Sequence, residues 1–199
     1  AKVAELLGTT AEGIVLGKMN DDLASLGKYG IKKVYHAASE TFNMFDSQAY
    51  TKAIGEAAIA NGATVIIFSN NLNGKAIAPR ISARLKAGLV SGAVSLPDTN
   101  SGFIVKKGVF SGKAFVFLSL ATPIKIIALN PNSYQVKTGE GLAEVVALPS
   151  SSGSTHTKIT GTNKIIGEVP LSEAELVISG GRGLKGPENW GMIEDLAKL

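Results

Sequence analysis

The strongest constraint on the fold is an unbroken run of β-branched and aromatic residues at 64–68, TVIIF, between two helical patterns. Such a run is typical of a parallel strand that is covered on both faces. Asp46 can cap a preceding helix that reaches about Ala60, and the following segment buries apolar side chains at four-residue steps from Ile77. Repeated strand–helix alternation predicts an open parallel sheet with right-handed crossovers.

The chain before Asp46 shows the same alternation in shorter segments. We predict a helix over residues 2–7 and strands over 14–16 and 33–36. Asn20 is the predicted N-cap of the helix between those two strands, with two aspartates in its first turn.

After Gly88 the alternation ends, and only turn residues separate the extended segments. Residues 110–112 and 121–123 are predicted hairpin connections, so the sheet gains antiparallel strands at an edge or as a small second sheet. One more buried strand is predicted over 174–179. The predicted class is therefore α/β, Rossmann-like, with an open, mostly parallel sheet flanked by helices and added antiparallel strands. The extended segments cover 90–96, 103–109, 113–120 and 123–129.

Composition excludes several classes of protein. The chain has 20 basic and 16 acidic side chains, and the basic ones are spread along the sequence, which argues against a nucleic-acid partner. It has no cysteine, and His36 and His156 are far apart, which argues against thiol catalysis and a metal centre. The most apolar stretch, 114–129, is too short and too interrupted to span a bilayer.

One sequence motif is typical of a ligand-binding site. Gly181, Gly183 and Gly186 satisfy G-x-G-x-x-G directly after the strand predicted over 174–179, and a helical pattern follows from Pro187. Glycines at a strand-to-helix turn permit close approach of the backbone to a ligand. The helix end offers N–H groups to an anionic or electron-rich group.

Arg182 and Lys185 add positive charge at this turn. The alternative is a plain strand-to-helix turn whose glycines serve positive φ angles. A dinucleotide fingerprint also needs an acidic residue about 20 positions further on, and the sequence stops at Leu199 before that position.

Residues 177–189, VISGGRGLKGPEN, closely resemble the VVSGGRGLK-x-x-EN segment that opens the flavin-binding domain of the electron transfer flavoprotein alpha subunit. Looser similarity to the same family at residues 30–35 and 74–85 extends the resemblance over essentially the whole chain. One departure is Gly92 after Ser91, where the family commonly has aspartate.

The resemblance implies an adenine nucleotide hydrolase-like N-terminal domain, a C-terminal domain that holds FAD, and a beta subunit that clasps both and binds AMP. Such proteins are electron carriers, not enzymes. They pass electrons from acyl-CoA and related dehydrogenases, as in fatty acid β-oxidation, to a membrane quinone reductase without being embedded in the membrane. The resemblance also places Arg182 against the flavin, in a cofactor-binding turn with Gly181, Gly183 and Lys185, where a guanidinium stabilises negative charge on the reduced ring.

The resemblance further predicts the domain organisation. Residues 1–172 form the N-terminal α/β domain, and 173–199 form the first strand and helix of the FAD-binding domain. Alpha subunits of the family begin with a strand before the helix that starts here at Ala1 and continue past Leu199. We therefore expect the sheet to lack its first strand and this piece not to retain FAD. The expected compartment is the bacterial cytoplasm, or the mitochondrial matrix for a eukaryotic chain.

Two other functions remain open at this level. A small nucleotide-binding α/β module would use the polar loop at 70–75, although the resemblance favours a capping loop there. A nicotinamide dehydrogenase fragment would use the glycine turn but lacks an acid–base partner. His36 is interpreted as a polar rim residue, and Trp190 as packing on the remainder of the flavin domain. The basic residues of one helix are expected to face solvent or a beta subunit: Lys75, Arg80, Arg84 and Lys86. The phenylalanines are expected to lie in the core: Phe103, Phe110, Phe115 and Phe117.

Overall fold

The computed structural model describes residues 1–149, 157, 159–163, 169, 171, 174 and 176–198. The chain divides into two compact units, Ala1–Thr162 and Asn163–Leu199. In the described residues, the larger unit contains the sheets, and the smaller unit contains the glycine turn and a short helix.

The described helices of the larger unit are α1 (Lys2–Leu6), α2 (Ser47–Ala60) and α3 (Leu72–Leu85). Its strands are β1 (Ala11–Leu16), β2 (Ile31–Ala37), β3 (Val65–Ser69), β4 (Gly88–Ala93), β5 (Ile104–Val109), β6 (Ala114–Ser119), β7 (Lys125–Leu129) and β8 (Glu144–Ala147). Short 3-10 helices cover Leu23–Tyr29 and Glu40–Phe42. The smaller unit has 3-10 turns at Arg182–Leu184 and Pro187–Asn189, followed by α4 (Gly191–Ala197).

In the part of the chain that the structure describes, the strands form two hydrogen-bonded sheets. One has the order β1-β2-β8 and is parallel throughout. The other has the order β3-β7-β4-β5-β6; β3, β7 and β4 are parallel, whereas β5 and β6 are antiparallel to their neighbours. This arrangement confirms the predicted α/β class, with a mostly parallel sheet and added antiparallel strands.

Strand β7 is the centre of the core. Successive side chains of a strand point to opposite faces, so Ile126 and Ile127 serve different sides of the sheet. Ile126 is 0% exposed and packs with Ile54 of α2 and Ile81 of α3. Ile127 is 3% exposed and belongs to a second cluster with Val105 of β5. Burial of each isoleucine contributes about 1.5–3 kcal/mol, so β7 is anchored from both faces.

The chain reaches β7 by a route that the sequence pattern did not predict. The hairpin predicted at 121–123 is wrong, because β6 is the outer strand and β7 lies between β3 and β4. An edge position would leave the apolar run of β7 in water, and the central position buries it. The hairpin predicted at 110–112 is confirmed by the antiparallel β5–β6 pair and by positive φ at Phe110, Ser111 and Gly112.

Three further details differ from the sequence predictions. The N-cap after β1 is Asp22, whose Oδ1 accepts a hydrogen bond from Ala24 N at 3.0 Å, so the prediction of Asn20 is wrong. Strand β8 carries no strong period-2 pattern and was not predicted. Phe103 is buried as expected. The other three phenylalanines are exposed on the β5–β6 hairpin, so their expected place in the core is wrong: Phe110, Phe115 and Phe117. The Ser-rich loop at 150–155 lies outside the described residues.

Helix α2 begins as predicted, at the carboxylate of Asp46. Oδ1 of this residue accepts hydrogen bonds from the backbone N–H groups of Gln48 at 2.7 Å and Ala49 at 3.2 Å. Asp46 is itself buried. Because water cannot readily replace these bonds, the cap fixes where α2 begins.

We therefore predict that Asp46→Ala lowers the free energy of unfolding by about 1–2 kcal/mol, since two N–H groups lose their acceptor. Asp46→Asn keeps a side-chain oxygen at the cap and should lose less than half of that amount. Urea denaturation followed by circular dichroism measures both. Equal losses in the two variants would contradict a capping role.

Candidate functional site

The glycine turn has a defined geometry in the smaller unit. Residues Arg182–Leu184 form one 3-10 turn, in which Leu184 N donates to Gly181 O and Lys185 N donates to Arg182 O, both at 3.1 Å. The side chain of Asn189 donates from Nδ2 to Leu184 O at 2.8 Å and ties this turn to the one that follows. The turn is therefore held by its own hydrogen bonds.

The glycines of the motif are not required by the backbone angles of the turn. Gly181, Gly183 and Gly186 all lie outside the positive-φ region, and the residue with positive φ is Lys185, at 66°. A Cβ added at Gly181 or Gly183 would have no protein atom within 4 Å. The interpretation of these glycines as positive-φ turn residues is therefore wrong, and their bare backbone leaves space for close approach of a ligand.

Positive charge and backbone donors meet at the same turn. Arg182 and Lys185 are both exposed. The N–H groups of Arg182 and Gly183 stand at the start of a 3-10 turn, where no intrahelical acceptor exists. This combination suits a ligand that is negatively charged or electron-rich, and residues 181–185 fit the flavin that the resemblance implies in both charge and available space.

The approach to the turn differs from the prediction. The described residues at 176–180 are not in a strand, and Leu176 is 90% exposed. A single strand needs a neighbour to satisfy its backbone, and the described part of the smaller unit has no other strand. The helix predicted after Pro187 is present as a 3-10 turn and α4, and Met192 and Trp190 expose apolar surface there.

A second polar cluster lies at the carboxyl ends of β3 and β7. Asn70 donates from Nδ2 to Oδ1 of Asn130 at 2.7 Å, and it accepts from the hydroxyl of Ser91 at 3.1 Å. Gly92 follows with φ of 83° at a register irregularity between β4 and β7. The positive φ explains the glycine at this position, where the family commonly has aspartate, because glycine adopts positive φ readily.

The polar side chains of the loop after β3 bond to other groups of the protein. Asn71 Oδ1 caps α3 by accepting from Gly74 N at 2.9 Å, and a Cβ at Gly74 would collide with the carbonyl oxygen of Ser69. Asn70 and Asn71 therefore both bond to protein groups. These contacts support the capping interpretation over a nucleotide site.

The remaining candidates have structural roles. His36 Nε2 lies 2.9 Å from the carbonyl oxygen of Gly17, and Arg84 forms a surface ion pair with Glu56 at 3.9 Å. Burial raises the pKa of Tyr35, and the nearby carboxylate of Glu12 raises it further, so the phenol stays protonated at neutral pH.

Among the described residues, no group of three or more His, Cys, Asp or Glu side chains could hold a metal ion. None of the described helices combines the length and apolarity that crossing a membrane requires.

A mostly parallel α/β sheet flanked by helices defines the chain as a Rossmann-like protein. Within that class the chain belongs to the electron transfer flavoprotein family, because residues 1–152 match the family described as "Electron transfer flavoprotein domain". It is 26% identical to the electron transfer flavoprotein subunit alpha of Bacillus subtilis (strain 168) over 196 residues, which cover 94% of this chain and 59% of the relative.

Two other alpha subunits show the same level of similarity. Identity is 26% over 200 residues to the subunit alpha of Syntrophomonas wolfei, covering 98% of this chain and 63% of that protein. It is also 26% over 200 residues to the probable mitochondrial subunit alpha of Caenorhabditis elegans, covering 98% and 59%. The chain thus spans about three-fifths of the length of these relatives.

We predict that Gly74→Ala destabilises the larger unit by about 1–3 kcal/mol, because the new methyl group meets the Ser69 carbonyl. Helix propensity alone would predict that the substitution stabilises the protein, since alanine is the better helix former. Gly108→Ala, where a Cβ meets no atom within 4 Å, is the control and should change stability little. Chemical denaturation of the three proteins gives the comparison, and a stabilised Gly74→Ala protein would refute the close contact.

Proposed function

We propose that this chain is the N-terminal part of an electron transfer flavoprotein alpha subunit, which carries electrons through a bound flavin and catalyses no reaction of its own. The observation that carries the proposal is the family match over residues 1–152, together with a charged glycine turn whose backbone is open to a ligand. The named relatives are alpha subunits of such carriers.

The cofactor of the proposed carrier is FAD, which supplies the redox chemistry when bound. Gly181 and Gly183 would let the backbone approach it, and Arg182 and Lys185 would supply positive charge. A guanidinium held near the flavin stabilises added negative charge and thereby raises the flavin's potential. Support for these four residues comes from the open turn and the exposed cations.

The proposed partners follow from the same assignment. A beta subunit would complete the heterodimer, with acyl-CoA and related dehydrogenases as electron donors and a quinone reductase as acceptor. Relatives of both bacterial and mitochondrial origin occur, and we propose the bacterial cytoplasm as the compartment. The basic residues of α3 remain exposed and available to a partner, apart from the ion pair of Arg84.

We also propose that residues 1–172 are the N-terminal domain and that 173–199 begin the flavin-binding domain. The glycine turn is exposed on the described part of its unit, and apolar side chains such as Leu176 and Met192 stand beside it in water. A flavin ring needs protein on more than one side to be held tightly. The turn therefore contributes one side of a site that other protein must complete.

The 199-residue chain should accordingly purify colourless and bind FAD with a Kd weaker than about 100 µM, because the turn alone buries little of the cofactor. Visible absorption and a fluorescence titration of FAD measure this, with ATP titrated in parallel. A yellow protein with stoichiometric FAD would contradict the proposed division. Micromolar ATP binding would support the alternative of a small nucleotide-binding module.

In a heterodimer with an alpha chain of full family length, Arg182→Ala should lower the two-electron flavin potential by about 30–60 mV. That range corresponds to the loss of one charge-assisted interaction of about 1.5–3 kcal/mol. Arg182→Lys retains the charge and should recover part of the shift. Spectroelectrochemical titration gives the potential, and the FAD content of each variant shows whether binding has changed. An unchanged potential in Arg182→Ala would remove this residue from the electronic role.

A further inference from the structure

Lys185 lies at the centre of a strained backbone turn within the glycine motif. Its φ is 66° and its ψ is −41°. Across it, the backbone N–H of Gly186 donates a hydrogen bond to the carbonyl oxygen of Leu184 at 2.8 Å. A hydrogen bond between residues i and i+2 around a central residue with positive φ and negative ψ defines a γ-turn of the rare, strained kind.

The residue type at the centre of this γ-turn does not relieve the strain. Glycine adopts positive φ readily, whereas a residue with a side chain is strained there. Gly183 and Gly186 flank Lys185 in the motif, and neither has positive φ. Strain of this kind persists only where surrounding groups hold it, and it is concentrated at functional sites. The lysine therefore needs a group that holds its backbone, and its side chain is a candidate for a functional role.

Leu184, directly before the strained residue, is held at its carbonyl group and at its side chain. Its carbonyl oxygen accepts a second hydrogen bond, from Nδ2 of Asn189 at 2.8 Å, beside the one from Gly186 N. Its side chain lies so close to Gly180 that a Cβ there would collide with Leu184 Cδ1 and stand 2.9 Å from Cδ1 of Ile193 in α4. These contacts fix the carbonyl oxygen that accepts the hydrogen bond of the γ-turn.

We propose that Asn189 is a positioning residue of the flavin site. Its amide holds the Leu184 carbonyl, keeps Lys185 in the γ-turn and thereby fixes the direction in which the Lys185 side chain leaves the backbone. The inference rests on the proposed function, because it takes the ligand of the turn to be FAD. It adds to that function a residue that acts on the cofactor only through Lys185.

The chemistry of lysine explains why its backbone has to be held. The ammonium is a point charge on a flexible four-carbon stem, so its average position depends on the direction in which the stem leaves the main chain. Lys185 is exposed, and the fixed γ-turn is what restricts that direction. Oxidised FAD carries its negative charge on the diphosphate. A cation that is already directed at a ligand loses less entropy on binding, so the fixed turn raises the affinity for oxidised FAD.

The first measurement tests the backbone effect in the 199-residue chain without cofactor. NMR spectroscopy gives φ of Lys185 from the three-bond HN–Hα coupling and the intraresidue HN–Hα NOE. We expect positive φ in the unmodified chain and in Glu194→Ala, the matched change at an exposed residue of α4. Asn189→Ala removes the donor, and Asn189→Asp replaces it by an acceptor of the same shape. Both variants should shift φ of Lys185 to negative values.

The second measurement is a fluorescence titration of oxidised FAD into the heterodimer with an alpha chain of full family length. Asn189→Ala and Lys185→Gly should each weaken the affinity about tenfold, the factor for one charge-assisted hydrogen bond. Glu194→Ala should leave the affinity unchanged. Because Asn189 acts through Lys185, the double variant Asn189→Ala/Lys185→Gly should bind FAD no more weakly than Lys185→Gly alone. Circular dichroism of each variant checks that it folds.

Positive φ of Lys185 in both Asn189 variants, or negative φ in the unmodified chain, would overturn the proposal. So would additive losses of affinity, about a hundredfold in the double variant, because Asn189 would then act independently of Lys185. An unmodified heterodimer that binds no FAD would contradict the proposed function and the effect on affinity together. That failure is distinguishable, because the NMR measurement without cofactor still shows whether Asn189 holds the turn.

Discussion

The two-sided burial of β7 is the constraint on which the rest of the larger unit depends. Ile126 and Ile127 are adjacent in sequence and buried on opposite faces, so helices and sheet side chains must cover both sides of this strand. That requirement puts β3 and β4 beside β7 and leaves the antiparallel hairpin outside β4. The helices α2 and α3 then follow, because Ile126 has to be covered by their apolar faces.

The same strand order decides where the polar groups meet. Because β3 and β7 are parallel neighbours, their carboxyl ends coincide, and Asn70 reaches Asn130 although 60 residues separate them in the sequence. The polar groups of this cluster bond to one another, and the adjacent Asn71 caps α3. The glycine turn differs, since its cations are exposed and its glycines have open space. A polar site that is already satisfied stabilises the fold, whereas one that is open remains available for a ligand.

Large apolar side chains are exposed in both described units, among them Met192 of α4 and Phe110 of the β5–β6 hairpin. The chain spans only about three-fifths of the length of its relatives. The proposed function gives this chain the role of a scaffold that contributes one side of a cofactor site.

The sequence by itself determined the local structure of this protein. The apolar runs placed β2, β3 and the α2 and α3 helices, Asp46 marked the start of α2, and the segment at 177–189 identified the family. These features depend on neighbours within a few residues in the sequence, which is why sequence patterns and helix-capping residues predict them. Only the tertiary structure decided the strand order, the absence of a hairpin at 121–123 and the exposure of the hairpin phenylalanines. Each of these is set by which distant segment covers a strand, and no local pattern carries that information.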